Sequence, residues 1–446
     1  MKSRHIKTTL IFTMVFFLFI SVQAQIKKRL TLQEAIALSV GHSPDLKLSE
    51  AKINEANAAL RIARDNRLPE ASVSGSHIRL NSPNIDLKNS TNNNGNGNGN
   101  TSEPLEVKSA TYGILNVSLP LYAGNKIRYG IESSRYLAEA AKLDAIADRD
   151  AIMLNAINAF ANLYKANAAV RVVRENVEGN KERVRQFTNL EKNGLLARND
   201  LLKAKLQESN TALTLYEAES NLKLTNANMN IMLGLGDSTI LEPVMESWTT
   251  NEKGKSIEDY LQMAVQHRKD VEALNLRNKA AKTGINIARA GYYPSLSLTG
   301  GYIAANVPHL LTVTNAANVG VGLSYPISSL WKNHATVEEA KARQMQVEAN
   351  AGILSDGIKV EVNQAYYNYT LSVQKIDTYR SAVDQAEENY RITKNKYDNA
   401  LVNTTDLLDA DVAQLQAKLN FVFAEADASA AYSRLLHTAG LLAQDK

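Results

Sequence analysis

The sequence predicts a mainly helical protein with a smaller β component, built from two copies of one unit. Three observations carry this. The chain repeats itself at long range, two long stretches contain no proline, and four short segments beside prolines alternate apolar with small polar residues. At 446 residues and 44% hydrophobic composition there is ample chain for a core. Only residues 9–20 are apolar enough to resemble a membrane span, and they are too few to cross a bilayer, which excludes a polytopic helical membrane protein. The chain has no cysteine, which removes disulfides, thiolate catalysis, cysteine-ligated metals and an acylated lipoprotein cysteine.

In chain order, the N-terminus comes first. Lys2, Arg4 and Lys7 precede the apolar run Leu10–Ile20, and Ser21-Val22-Gln23-Ala24 closes it. This is the pattern of a secretory signal peptide spanning 1–24. Its removal leaves 47 basic against 46 acidic side chains, so the mature chain offers no electrostatic case for nucleic acid.

The repeat organises the rest. His42-Ser43-Pro44-Asp45-Leu46 aligns with His267-Arg268-Lys269-Asp270-Val271, 225 residues on. Ser118-Leu119-Pro120-Leu121 aligns with Ser324-Tyr325-Pro326-Ile327 at offset 206, as do Asp200-Leu201-Leu202 with Asp406-Leu407-Leu408, and Gly234-Leu235 with Gly440-Leu441. The offset changes where the first copy carries the Asn/Gly tract 92–100, which reads as an expanded loop. The first repeat covers 25–240 and the second 241–446. Each unit reads as helix, hairpin, long helix, turn, helix: 31–66, a hairpin at about 68–122, 126–192 and 199–233, then 256–291, a hairpin at about 293–328, 333–398 and 405–438. The absence of proline from 121 to 242, and from 327 to the end, permits the long helices. In the last helix Leu408, Val412, Leu415, Leu419 and Val422 begin an alternating 4–3 spacing, a coiled-coil seam.

The strands point at a membrane. Val319, Val321, Leu323, Tyr325 and Ile327 alternate with Gly320, Gly322 and Ser324, and Leu115, Val117, Leu119 and Leu121 repeat the pattern. Apolar residues on one side and small ones on the other, over about ten residues, are the mark of transmembrane β-strands. A half-buried sheet of a soluble sandwich has the same periodicity. Four strands leave two unpaired edges, which lipid does not tolerate, so several chains would combine to close a barrel.

The opening Leu32-Gln33-Glu34-Ala35, the two-fold repeat and the paired turns resemble the TolC family of outer-membrane efflux and secretion channels. The turns are Asn193-Gly194-Leu195-Leu196-Ala197-Arg198-Asn199-Asp200 and Tyr397-Asp398-Asn399-Ala400-Leu401-Val402-Asn403-Thr404-Thr405-Asp406-Leu407-Leu408-Asp409. The resemblance implies a homotrimer with a twelve-stranded β-barrel, four strands from each chain, and a periplasmic α-barrel of long coiled-coil helices. It implies an equatorial belt from 235–255 and the C-terminal residues. It also implies partners: a periplasmic adaptor (membrane fusion) protein, an inner-membrane pump of RND or ABC type, and the lipid of a Gram-negative outer membrane. Asp406 and Asp409 match aspartates at the narrowest point of the pore, where six carboxylates would gather. Asp200 and Tyr397 match a polar network that closes the tip; Val402 replaces an arginine of that network, and Arg198 is the candidate substitute. Gly194, Leu195, Leu196, Ala400, Leu401 and Val402 would form the adaptor-docking tip, with four exposed apolar side chains. From the residues alone, Asn199-Asp200 and Thr404-Thr405-Asp406 also read as ordinary helix starts, with caps and a first-turn acid that complements the helix dipole.

No catalytic constellation stands out. The seven histidines lack zinc-ligand spacing, and the Asn/Gly tract lacks the context of a phosphate loop, so neither a metal, a cofactor nor an enzyme is expected. The expected function is the passive exit duct of a tripartite efflux or type I secretion system. The alternative is a periplasmic structural or adaptor coiled coil without a pore.

Overall fold

The computed structural model describes residues 27–81, 107–244, 255–308 and 310–443. The expected signal peptide, the Asn/Gly tract and part of the expected belt lie outside these residues. The elements are β1 (Lys27–Leu30), α1 (Leu32–His42), α2 (Pro44–Asp65), β2 (Glu70–Arg79), β3 (Ser109–Ala123), α3 (Lys126–Lys192), α4 (Arg198–Leu233) and β4 (Ile240–Pro243). They continue with α5 (Ile257–His267), α6 (Lys269–Arg289), β5 (Ser295–Val307), β6 (Leu311–Ser324), α7 (Ser329–Asp398) and α8 (Thr404–Thr438). The chain is mostly helical, and the two long helices have 67 and 70 residues, about 100 Å each at the α-helical rise. Among the described residues no helix is apolar enough to cross a membrane.

Where one opening helix is expected in each copy, the chain forms two. Pro44 pushes the residue before it out of the helical region, and Ser43 is extended at φ −61°, ψ 121°. Arg268 breaks the second copy in the same way at φ −66°, ψ 125°, without a proline after it. Its guanidinium is held instead by Asp270 and Glu361, both at 2.7 Å. The repeated Gly-Leu pairs explain themselves here. Gly234 ends α4 with φ +66°, and a Cβ there would lie 1.9 Å from the His42 ring. The paired Gly440 sits against the backbone of His267 and Arg268. Each closing helix therefore ends against the break between the opening ones, where only glycine fits.

The chain divides into two compact units. One comprises residues up to Glu50, 144–271 and 354–443. Its cores are built from equivalent positions of the two copies. Leu30, Ala35, Phe160, Met229 and Leu233 form one cluster; Tyr260, Val362, Leu435 and Ala439 form another. Ala35 and Leu233 in the first copy are matched by Tyr260 and Ala439 in the second, so the larger side chain of the pair comes from the closing segment in one copy and the opening helix in the other. In this unit β1 and β4 pair in parallel.

The other unit comprises 51–143 and 272–353. It holds an antiparallel sheet in the order β2-β3-β5-β6, two hairpins joined by β3 and β5, with Leu115 opposite Tyr302. Pro120 is tolerated within β3 at a register shift. No residue of these four strands is buried. Val319, Val321 and Leu323 are 80%, 64% and 71% exposed.

Candidate functional site

The site is the pair of turns that join α3 to α4 and α7 to α8, both in the first unit. α3 ends in a Schellman motif: the Leu195 amide donates to the Leu190 carbonyl at 2.8 Å, and the Gly194 amide donates to Glu191 at 2.9 Å. Gly194 takes the left-handed conformation at φ +72°. α7 ends with the same bonds, from Leu401 to Lys396 at 2.8 Å and from Ala400 to Tyr397 at 2.9 Å. Here a residue with a Cβ, Ala400, sits at φ +57°.

Below the turns lies an apolar cluster of Phe187, Leu201, Ala204 and Leu407, with Leu196, Tyr390 and Tyr397 packed against it. Phe187 and Tyr397 stack with their ring centroids 5.6 Å apart. Leu195 and Leu401 are 74% and 73% exposed, whereas Leu196 and Val402 are half-buried. The tip thus presents two apolar side chains rather than the four expected, because Leu196 turns down onto the cluster.

The second turn is capped and the first is not. The Asn403 side chain accepts from the Asp406 amide at 3.0 Å, and the Asp406 carboxylate accepts from the Asn403 amide at 3.3 Å, a reciprocal capping box. Ala197 stands at the equivalent position of α4 and offers no side-chain oxygen. Asp409, one turn beyond Asp406, is exposed, and among the described residues its carboxylate makes no hydrogen bond or ion pair within the chain. Asp200 and Tyr397 have separate partners. Lys203 Nζ approaches Asp200 at 3.4 Å and donates to Thr405 at 3.1 Å, linking the two turns. The Tyr397 hydroxyl lies 3.4 Å from Thr404 Oγ1. Arg198 is exposed at the first position of α4, and Lys203 rather than Arg198 is the cation beside Asp200.

A buried polar network lies deeper, and the sequence reading did not find it. Arg183 of α3 donates to Asp411 of α8 at 2.9 Å, to the Tyr390 hydroxyl of α7 at 3.0 Å and to Asn180 at 2.7 Å. Asn176 donates to the other Asp411 oxygen at 3.3 Å, and Asn180 donates to Thr211 of α4 at 3.1 Å. All four helices meet in this network. The Arg183 and Asp411 side chains are 9% and 5% exposed. Burial works against the Arg183 charge, but the hydrogen bond and charge of Asp411, with Tyr390, outweigh it and hold the guanidinium above its ordinary value. A cleft of about 350 Å³ opens beside the pair, with Glu182, Tyr397 and Lys418 on its wall. A signal for the network exists in α3: Val173, Val177, Asn180, Arg183 and Phe187 recur every three or four residues and are all buried, two of them polar.

The comparisons with known proteins agree with this architecture. The pattern that defines the outer membrane efflux protein family matches residues 35–235 and again 260–441. The chain belongs to that family. The double match coincides with the two-fold repeat. Nodulation protein T of Rhizobium leguminosarum bv. viciae is 24% identical over 302 residues, 65% of this chain but only 60% of that protein. The outer membrane protein TolC of Vibrio cholerae is 21% identical over 340 residues, 74% of this chain and 76% of that protein. Among solved structures, the outer membrane protein VceC of Vibrio cholerae superposes with a TM-score of 0.77 at 20% identity, over 92% of this chain and 96% of VceC. The fold is therefore that of the TolC-like channels.

Proposed function

We propose that this family member is a passive exit duct in the outer membrane of a Gram-negative bacterium. Three copies close one twelve-stranded barrel from their four-stranded sheets, and their long helices extend into the periplasm. The observation that carries this reading is the sheet. Its edge strands β2 and β6 each pair on one side only among the described residues, and its strands carry exposed Val319, Val321 and Leu323. Such a sheet is unsuited to water alone and is satisfied by neighbouring sheets and lipid.

At the paired turns, Asp406 and Asp409 narrow and gate the pore, with Asp200, Tyr397 and Arg198 around them, and the duct carries cargo without catalysing a reaction. The exposed Leu195 and Leu401, with Gly194, Leu196, Ala400 and Val402 shaping the turns, dock a periplasmic adaptor. The adaptor joins the duct to an inner-membrane pump of RND or ABC type. Removing carboxylates from a crowded ring lowers its affinity for cations.

The test is fractionation followed by electrophysiology. The duct is expected to stay with outer membranes until detergent is added, to run as a trimer and to conduct in planar bilayers. Cation block of that current should weaken when Asp406→Ala and Asp409→Ala are combined. Release without detergent, with no conductance, would instead indicate a periplasmic coiled-coil protein.

A further inference from the structure

We propose that the Arg183–Asp411 pair is a positioning device for the acidic start of α8, setting the rotation of that helix about its own axis. The inference rests on the reading of that turn as the gate. Along the first two turns of α8, Thr404, Leu407, Leu408 and Asp411 are buried, while Thr405, Asp406, Asp409 and Val412 are exposed. Apolar pattern alone favours a different face. Leu408, Val412 and Leu415 make the regular 4–3 seam, and a helix packed on it would turn Val412 inward. Val412 is instead 44% exposed, and Asp411 occupies the interior.

Residues three and seven positions before Val412 share its stripe, and these are Asp409 and Thr405. Turning Val412 inward therefore carries Asp409 towards the core and away from the pore. What opposes that rotation is the bond from Arg183 to one Asp411 oxygen and from Asn176 to the other. Arg183 is itself fixed from two further sides, by Tyr390 of α7 and Asn180 of α3. A charged side chain in an otherwise apolar seam can set the register of a helix while adding little net stability. Asp411 fits that role, and it stands two residues from Asp409.

The test uses the absence of cysteine from the chain, so that one introduced thiol is a unique probe. Leu408→Cys and Asp409→Cys are placed separately in the full-length protein and labelled with a maleimide. In the native background Asp409→Cys should react at least about tenfold faster than Leu408→Cys, since thiol reactivity follows exposure. Combining Arg183→Leu with Asp411→Ser removes both charges and leaves the apolar pattern to choose the face. Asp409→Cys should then become protected, and in the double variant that keeps Asp409 the cation block of the channel current should fall. An unchanged labelling ratio in the folded double variant overturns the proposal.

Folding is followed by far-UV circular dichroism. If the double variant does not fold, Arg183→Met with Asp411→Ala is read by the same criterion, because it removes both hydrogen-bonding groups. Labelling needs no pore. A protein that never conducts but shows the rotated pattern sinks the channel reading and leaves this inference standing, and a conducting protein with an unmoved pattern does the reverse.

Discussion

The two turns of the tip share one backbone and solve its difficulties in opposite ways. The first places Gly194 at the left-handed position, where a non-glycine residue would be strained, but it begins α4 at Ala197, which cannot cap. The second places Ala400 at the left-handed position and compensates with a full capping box from Asn403 and Asp406. Each turn thus has one favourable end and one unfavourable end. The acid of the second turn is committed to its cap, whereas Asp200 of the first leans on Lys203 and reaches Thr405 of the other turn only through that cation. The lesson is that duplicated segments can keep a shape while redistributing which residue stabilises it.

The largest expected effect lies beneath the turns, where the two copies contribute the same leucine. Leu201 and Leu407 are equivalent and are 6% and 4% exposed in one shared cluster. Truncating either one to alanine should cost about 2–5 kcal/mol. Thermal melts should show the two losses to be similar and, because the side chains share that cluster, non-additive in the double variant. A much smaller loss at one of them would mean that the turns do not share a core.

The legibility of the sequence follows the same division between local and distant causes. The 126–192 helix was readable, because no proline interrupts the chain from 121 to 242. The capping of Asp406 was also readable, since Asn403 and Asp406 lie three positions apart. The break at Arg268 was not, because its stabilising partner Glu361 is 93 residues away. Nor was the pairing of β1 with β4, two four-residue strands with no alternation to mark them. The Arg183–Asp411 pair spans 228 residues, and the local pattern around it argued for Val412 instead. Separation in sequence decided most of what could be read; the break at Ser43, which the adjacent Pro44 marks locally, is the exception.

The caps provide the next prediction. Asn403→Ala removes one half of the box and should destabilise by about 1 kcal/mol. Ala197→Ser adds an oxygen where the backbone is already extended, at φ −68° and ψ 139°, and should stabilise α4 by roughly 0.5–1 kcal/mol. Hydrogen exchange at the first turns of α8 and α4 separates these local effects from global ones. Faster exchange in α8 for the first variant and slower exchange in α4 for the second are expected. Equal changes in both helices would show that the turns open together.

Exchanging the left-handed residues has the smallest net effect, because two terms oppose. Ala400→Gly relieves a left-handed alanine, about 1–2 kcal/mol of strain. It also frees the unfolded chain, which costs back about 0.4–1 kcal/mol. A net gain of about 0–1.6 kcal/mol remains. Gly194→Ala reverses both terms, and no atom lies within 4 Å of the added Cβ, so conformation alone sets its cost. The double exchange should therefore return nearly to the native melting temperature. If Gly194→Ala proved costly while Ala400→Gly gave nothing, the strain at Ala400 would be absorbed by the surrounding turn. The capping box would then be holding α8 against a backbone already relaxed, and the balance between the two ends of that turn would fail.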